Sequence, residues 1–445
     1  MTSLYNKEGV IGKLWEQFSD FFSEATRPTA KHLFELVLSV FALNGFQSVK
    51  NNFEHFIHEI SKYELKSFYY ALNESRISLL DWMKHLMDAA LSLVQNSSGQ
   101  ALVLSIDDTL IEKSGEKFEH WSKLYDHAAH NGSKYLNGHC LVSLLLSIPV
   151  RDSSGSRYLS FPIAYRMWTK AQTKLEMAAE LVKSAMSSLG SLRQVILCCD
   201  SWYPKGCVKQ LIDQFPNLAL ICNVRSDTAL YHLPPAPTGK KGRPRERGGR
   251  LSLNDFRFHE IPGCDLLVGF RPVKTMLFGK RTVYAFVTKS KKGKSYRLFL
   301  CTTDPKSLQF DLSYLDQNSA AFTDVDADLL PLRVYALRWN IEVAYYEQKT
   351  FWSLSDYRLR SQVGIERLVN LLTLCYASVK LLPYLSQDFC ALKGMSPQQA
   401  RFTLGQLIRQ QVFLSTFVAR INDGKISDEL LDLLKSGISY LPRAA

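Results

Sequence analysis

Two apolar runs in the middle of the chain end in acidic residues. The run 101–106 leads into Asp107 and Asp108, and the run 195–199 leads into Asp200. In a buried sheet, carboxylates at strand ends project into the crevice where ligands bind. Carboxylates from neighbouring strands suit hard divalent cations, and paired cations can catalyse phosphoryl transfer. A single strand-terminal Asp more often only caps the next turn, so these acids alone leave the function open.

A third acid lies in the stretch 333–350, which contains neither Gly nor Pro. If this stretch is one helix with about 100° between successive residues, Tyr335, Arg338, Glu342 and Lys349 fall on one stripe. The acid can complete a metal site, and the cations and the phenol can hold phosphates. The alternative is a solvated face with an Arg338–Glu342 ion pair, which contributes only roughly a few tenths of a kcal/mol.

The spacing Tyr335-x2-Arg338-x3-Glu342-x6-Lys349 resembles the Y-R-E-K signature of transposases of the insertion-sequence-4 family. The resemblance covers residues 100–380. It implies that Glu342 is the last member of a DDE trio of carboxylates and that the other three side chains contact DNA phosphates. It also implies a metal cofactor, Mg²⁺, with Mn²⁺ as an alternative.

The same resemblance places Asp200 at the second position of the trio and either Asp107 or Asp108 at the first. Successive strand residues face opposite sides of a sheet, so only one of the two neighbours should point at the metals. The Thr-Leu that follows Asp108 resembles the family pattern, which favours Asp108. All four acids, Asp107, Asp108, Asp200 and Glu342, are candidate catalytic and metal-binding residues.

The elements that must position these acids follow a definite order. Apolar runs and helical periodicity predict strands over 101–106, 140–150 and 157–165, then a helix over 173–188, a strand over 195–199, a helix over 205–215 and a strand over 218–224. Three strands followed by alternating helices and strands indicate an α/β protein with a ribonuclease-H-like core.

The rest of the chain suggests additions to this core. We predict an all-α N-terminal domain that binds DNA ends, a β-rich insertion, and a helical C-terminus. The predicted boundaries are 1–100 for the N-terminal domain, 101–225 for the first part of the core, 226–328 for the insertion, 329–385 for the second part with the catalytic helix, and 386–445 for the C-terminal region.

A segment rich in Arg, Lys, Gly and Pro opens the predicted insertion. Such a segment can follow phosphates or enter a minor groove, and the alternative is a solvated loop. Within the proposed transposase we expect it to contact DNA through Lys240, Lys241, Arg243, Arg245 and Arg247.

The polar stretch 120–139 contains four histidines, but their spacing fits no standard zinc site. We interpret it as a loop beside the active site, with Lys123, His127, Asn131 and Lys134 available to DNA.

Aromatic residues raise a further question about the mechanism. Better-known members of the family stack a flipped base on a Trp of the insertion, and this chain has no Trp between Trp202 and Trp339. Phe310, Tyr314 and Phe322 could serve instead, since any aromatic face can stack, or they could be core residues.

Bulk properties agree with a DNA-directed enzyme. A chain of 445 residues suits two or three domains. A net charge of +12 and a pI near 9.1 favour a polyanionic partner. Nine cysteines without a CxxC pair indicate a reducing compartment. Without a signal peptide or a run of eighteen apolar residues, we expect a cytoplasmic, nucleoid-associated protein that does not contact a membrane.

These observations predict a DNA transposase that cleaves the ends of an insertion sequence and joins the 3′ ends to target DNA. Its partners would be double-stranded DNA, both terminal inverted repeats and target, and a second copy of the chain in a synaptic homodimer. Two alternatives are a non-catalytic DNA-binding repressor derived from a transposase and a ribonuclease-H-like nuclease without strand transfer.

Overall fold

The structure is a computed structural model that describes residues 4–422, apart from 44, 47, 95–98, 128–131, 153–154, 192, 237–244, 262–264, 294 and 316–328. The described residues divide into two compact units. One contains the residues up to His85, Lys117–Glu119 and the residues from Glu347 onward. The other contains Leu86–Glu116 and His120–Tyr346.

The described residues before 101 form helices and no strand. Short π-helical (Phe53–Ile57) and 3-10 (Asp20–Phe22) turns interrupt them. The α-helices are α1 (Val10–Phe18), α2 (Arg27–Ala42), α3 (Val49–Asn52), α4 (His58–Ile60), α5 (Leu65–Asn73) and α6 (Leu79–Val94).

The middle of the chain alternates between strands and helices. Its elements are β1 (Leu102–Glu112), β2 (Ser122–Tyr125), β3 (Tyr135–Asp152), β4 (Gly155–Met167), α7 (Lys174–Leu189), β5 (Val195–Cys199), α8 (Gly206–Gln214), β6 (Leu218–Val224), β7 (Leu230–Tyr231), β8 (Arg250–Leu251), β9 (Phe258–Glu260), β10 (Leu266–Thr275), β11 (Val283–Ser290), β12 (Tyr296–Cys301), α9 (Leu330–Ala336) and α10 (Trp339–Phe351). Two long helices follow, α11 (Gln362–Leu385) and α12 (Pro397–Asn422).

One large mixed sheet organises the second unit. Strands β4, β3, β1, β5 and β6 lie side by side in that order. Strands β1, β5 and β6 are parallel, whereas β3 is antiparallel to β1 and β4 to β3. Strand β5 is buried along its whole length, as expected of a parallel strand covered on both faces. The prediction of an α/β fold is therefore confirmed at the level of a mixed sheet with helices.

The β-rich segment after β6 continues this sheet. Strand β12 pairs antiparallel with β6, and β11 and β10 follow in order. The register places Leu300 opposite Cys222 and Cys301 opposite Ile221. Strand β12 is thus hydrogen-bonded to the edge of the parallel strands, and the other strands between 226 and 301 extend the sheet from it.

The first unit, called the helical unit below, is built around α2, which is buried on nearly every side. Its buried side chains include Leu33, Leu36 and Val37. Gly405 of α12 allows a close approach to α2, because a Cβ there would lie 2.2 Å from the Phe41 carbonyl oxygen. Helix α11 is long and apolar enough to cross a membrane, but 83% of its most apolar window is buried, which is the pattern of a core helix.

A half-buried lysine in α11, Lys380, gives this unit a pH-dependent stability. The Lys380 amine donates to the Tyr376 hydroxyl at 3.4 Å, and burial lowers the pKa of Lys380 from 10.5 to about 8. Between those values the unfolded chain binds more protons than the folded chain, so this contribution to stability rises with pH. We expect Lys380→Met to stabilise the protein at pH 7 by about 1–2 kcal/mol.

Urea denaturation of wild type and variant across this pH range measures the effect. The difference between the two should shrink as pH rises through the window from 8 to 10.5. A difference that stays constant over this range would mean that Lys380 keeps an ordinary pKa in the folded protein.

Candidate active site

Strand β1 carries the two neighbouring acids, but it does not end there as the sequence suggested. It runs on to Glu112 because β3 continues to pair with it, with Asp107 opposite Ser143. Its parallel neighbour β5 ends at Cys199, opposite Ile106. The acids therefore lie where the parallel pairing stops, so the predicted crevice forms beside β1 and not beyond its end.

Asp107 lies on the face of the sheet that α10 covers. On that face the Ser143 hydroxyl and the Tyr345 hydroxyl of α10 are hydrogen-bonded, 2.5 Å apart. The Arg338 guanidinium donates to Asp107 Oδ2 at 2.9 Å and to Glu342 Oε1 at 2.5 Å. One cation thus joins the acid of β1 to the acid of the helix.

The helix that presents Glu342 is interrupted, which corrects the prediction of one continuous helix over 333–350. Helix α9 ends at Ala336 and α10 begins at Trp339. Between them the Leu337 and Arg338 amides bond to carbonyls only three residues back. This break leaves Glu342 in the first turn of α10, where the positive end of the helix dipole stabilises a carboxylate.

Tyr335 belongs to the short helix α9 but still meets Arg338. The Arg338 guanidinium carbon lies 5.8 Å from the centre of the Tyr335 ring. The Tyr335 hydroxyl donates to the Cys199 carbonyl at 3.3 Å, and its ring packs edge-on against Phe299. Tyr335 therefore fixes the last residue of β5, directly before Asp200.

Asp200 follows β5 and accepts a hydrogen bond from the Trp202 amide at 3.0 Å, so it does cap the turn after the strand. Burial raises the pKa of Asp200, against the opposing effects of this amide and of Arg338. Burial, followed by the nearby charge of Asp200, raises the pKa of Asp107 to about 7, although Arg338 opposes the change. The two carboxylates are close enough for their like charges to repel.

Asp108 points to the opposite face and is held by three donors. They are the Lys174 amine at 2.6 Å, the Tyr203 hydroxyl at 2.8 Å and the Cys140 thiol at 3.2 Å. Lys174 is the first residue of α7, which Thr173 starts through a capping box with Glu176. The alternation of the strand therefore gives the two acids different partners, with Asp107 beside Glu342 and Asp108 beside α7, while the charge of Asp108 still contributes to the raised pKa of Asp200.

Sequence reasoning did not identify Lys174, Tyr203 or Cys140 as partners of an acid. The Thr-Lys-Leu-Glu start of α7 is a recognisable capping box, which could have placed Lys174 at a helix start. Nothing in the sequence indicates that this helix start lies beside β1. Contacts of this kind depend on how helices cross the sheet.

Other predicted site residues lie elsewhere or outside the described part of the chain. Lys349 is in the last turn of α10 and belongs to the helical unit. Arg245 is exposed, and the Arg247 guanidinium lies 4.4 Å from the centre of the Tyr231 ring. The residues outside the described part are Asn131, Lys240, Lys241, Arg243 and Phe322.

The two described aromatic candidates for base stacking are packed inside the protein. Phe310 stacks on Tyr158 with centroids 4.6 Å apart, and Tyr314 is only 8% exposed beside the same ring. These contacts favour the core interpretation for both residues.

The carboxylates fit a divalent metal by their chemistry. Asp107, Asp200 and Glu342 offer the oxygen ligands that Mg²⁺ prefers, and the repulsion at Asp107 is what a bound cation would relieve. Across the described residues, no three His, Cys, Asp or Glu side chains stand close enough to hold a metal together. The guanidinium of Arg338 lies between two of the three acids, so it must release at least one of them before that acid can bind a metal.

Acids from two neighbouring strands and a helix start, on a mixed sheet, are typical of enzymes that transfer phosphoryl groups with divalent cations. Comparison with protein families supports this class. A model of the family described as DDE superfamily endonuclease matches residues 20–260. Because the match covers more than half of the chain, the protein belongs to the DDE superfamily endonuclease family.

The matched region contains Asp107, Asp108 and Asp200 and ends before Glu342. Membership implies an endonuclease of the transposase type with DNA as its substrate. A search of curated proteins gives no significant match.

Proposed function

We propose that the protein is a DNA transposase that cleaves the ends of an insertion sequence and joins the freed 3′ ends to target DNA. The observation that carries the proposal is the link that Arg338 makes between Asp107 on β1 and Glu342 on α10. Family membership adds the nuclease class. The strand order β4-β3-β1-β5-β6 supports a ribonuclease-H-like core, and the Tyr335, Arg338 and Glu342 contacts support the resemblance to the insertion-sequence-4 family.

Asp107, Asp200 and Glu342 are the residues that would hold Mg²⁺ or Mn²⁺. The cation, when bound, supplies the positive charge that activates the attacking oxygen and stabilises the leaving one. Asp107 is our choice for the first ligand, although the Thr-Leu after Asp108 favoured its neighbour. Asp107 faces Glu342, whereas three donors already occupy the Asp108 carboxylate.

Arg338 has two roles in this proposal. In the DNA-free protein its single positive charge pairs with both Asp107 and Glu342 and reduces the repulsion between them. A DNA phosphate offers the guanidinium a bidentate partner of the kind that it binds most strongly. When Arg338 turns to the phosphate, the two carboxylates become available to a metal.

The reaction consists of two exchanges at phosphorus. A water oxygen first attacks the phosphorus at the element end, the bond from phosphorus to the 3′ oxygen breaks, and a 3′ hydroxyl and a 5′ phosphate remain. That hydroxyl then attacks a phosphodiester of the target, and the target's own 3′ oxygen leaves. Each step replaces one P–O bond with another, so neither step needs an external energy source.

The remaining parts of the proposal concern DNA and assembly. Lys349 and the basic segment with Lys240, Lys241, Arg243, Arg245 and Arg247 would contact DNA phosphates. Residues 1–100 would bind the terminal inverted repeats, and two copies of the chain would hold two ends in a synaptic complex.

Incubation of the purified protein with the DNA that flanks its gene tests the function directly. We expect strand nicking at the element ends that requires Mg²⁺ or Mn²⁺, followed by joining of the cut 3′ ends to a target plasmid. Binding without nicking in any divalent metal would instead support a repressor. Nicking without joining would support a nuclease that lacks strand transfer.

A further inference from the structure

A short hairpin in the second unit presents an exposed aromatic and basic surface. Strand β2 pairs with the first residues of β3, with Tyr125 opposite Tyr135 and Lys123 opposite Asn137. Alternation along the strands puts these four side chains on one face. On the other face Leu124 is only 6% exposed. The hairpin thus has one packed face and one face open to solvent.

The open face contains two large rings in a fixed arrangement. Tyr125 and Tyr135 are 47% and 49% exposed, and their rings meet edge to face with centroids 5.4 Å apart. The His127 ring also meets Tyr125 edge to face, with centroids 4.7 Å apart. The rings therefore support one another and need little reordering to receive a flat ligand.

The charge of this face is positive. The Lys123 amine lies 4.6 Å from the centre of the Tyr135 ring, and Lys123 is itself exposed. Within the hairpin residues that the structure describes, 122–127 and 132–138, the one acid is Asp126, which is 4% exposed. An anionic ligand would meet the Lys123 amine here and no exposed carboxylate of the described hairpin residues.

The hairpin is firmly attached to the strand beside the candidate active site. Gly138 pairs with Glu112 of β1 on one side and Ser122 of β2 on the other. A Cβ at Gly138 would lie 2.0 Å from the Ile111 carbonyl oxygen, so only glycine allows this close approach. Strand β3 then continues to Ser143, opposite Asp107.

We propose that the face formed by Lys123, Tyr125 and Tyr135 binds unpaired bases of a DNA strand. The rings offer stacking surfaces, and Lys123 pairs with an adjoining phosphate, a combination that single-stranded DNA sites use. Tyr135 lies about 26 Å along β3 from Ser143, at roughly 3.3 Å per residue. At a rise of about 3.4 Å per nucleotide, the hairpin would contact DNA about eight nucleotides from the cleavage point.

This inference rests on the proposed function, because it assumes a DNA substrate, but it concerns a separate surface. Fluorescence anisotropy with the full-length protein tests it in EDTA, where no cleavage occurs. The probes are a blunt duplex and the same duplex with a single-stranded 3′ tail that contains 2-aminopurine. The variants are Tyr125→Ala/Tyr135→Ala, Tyr125→Phe/Tyr135→Phe and Lys123→Ala. Phe402→Ala is the control, because Phe402 is a 41% exposed aromatic residue of α12, outside the segments that we propose to bind DNA.

We expect the double alanine variant to bind the tailed duplex about tenfold more weakly or worse, with little change for the blunt duplex. The double phenylalanine variant should bind like the wild type, because stacking uses the ring and not the hydroxyl. Lys123→Ala should reduce the slope of log affinity against log salt by about one. The 2-aminopurine fluorescence should be quenched by the wild type and less by the double alanine variant.

Two results would overturn the inference in different ways. If the wild type binds tailed DNA and the double alanine variant binds it equally well, the hairpin surface has no such role and the proposed function is unaffected. If the wild type binds neither probe at any salt concentration, the proposed function fails together with the hairpin site.

Discussion

Glu342→Gln is expected to reduce metal-dependent nicking more than about 100-fold. This exceeds the loss usually caused by mutating residues that only hydrogen-bond to metal ligands. The amide keeps the size of the side chain but removes the charge that a divalent cation requires. Binding of element-end DNA should stay within about twofold of wild type, because phosphate contacts supply most of the affinity. Nicking of a labelled end fragment and its mobility shift measure the two properties.

A matched control for this variant is Glu180→Gln. Glu180 is an exposed acid on α7 in the same unit, where it pairs with Arg166 at 3.7 Å. The control removes the same charge from a surface position and should nick at the wild-type rate. Normal cutting by Glu342→Gln would remove Glu342 from the proposed metal site.

Asp107→Asn and Asp108→Asn are expected to differ strongly, although the residues are neighbours. Asp107 faces Glu342 and shares Arg338 with it, so its amide variant should lose more than about 100-fold in nicking. Asp108 is hydrogen-bonded to Lys174, Tyr203 and Cys140. The nicking activity of its amide variant should therefore fall by no more than about 10- to 100-fold, as it does for residues that only support metal ligands. We also expect Asp108→Asn to lower the melting temperature, because it weakens the Lys174 ion pair.

Metal binding separates the two roles without relying on turnover. Titration of each variant with Mn²⁺, followed by electron paramagnetic resonance in the presence of DNA, should show weaker binding for Asp107→Asn and near-normal binding for Asp108→Asn. The opposite pattern would make Asp108 the ligand, as the family pattern of the sequence favoured. Circular dichroism of both variants identifies any loss of activity that results from misfolding.

The sequence predicts best those strands that are buried along nearly their whole length. Strands β5 and β6 have the predicted bounds. Both are short apolar runs in a buried sheet, so each strand begins and ends where the run of apolar residues does. The end of β1 was not predictable from such a run, since pairing with β3 keeps the strand extended through polar residues.

The candidate site shows a similar division. Periodicity placed Glu342 near Arg338, four residues away, and the structure contains that pair. The same periodicity could not predict that the helix is interrupted at Leu337 and Arg338, because neither residue disfavours a helix. There Arg338 reaches Asp107, 231 residues away in the chain. Likewise, the choice between Asp107 and Asp108 depends on which helix covers each face of β1, and one sequence does not contain that information.

The pairing of β12 with β6 limits how the protein can be shortened. Residues 221–224 of β6 use their outer edge to bond to β12, and β6 is largely buried. A minimal nuclease made by deleting 226–328 would leave that apolar edge without its neighbour. Unpaired strand edges of this kind recruit strands from other molecules. Such a truncated protein would therefore aggregate. Reporter or purification tags should instead be inserted in exposed turns, away from the strands that pair with the edge of β6.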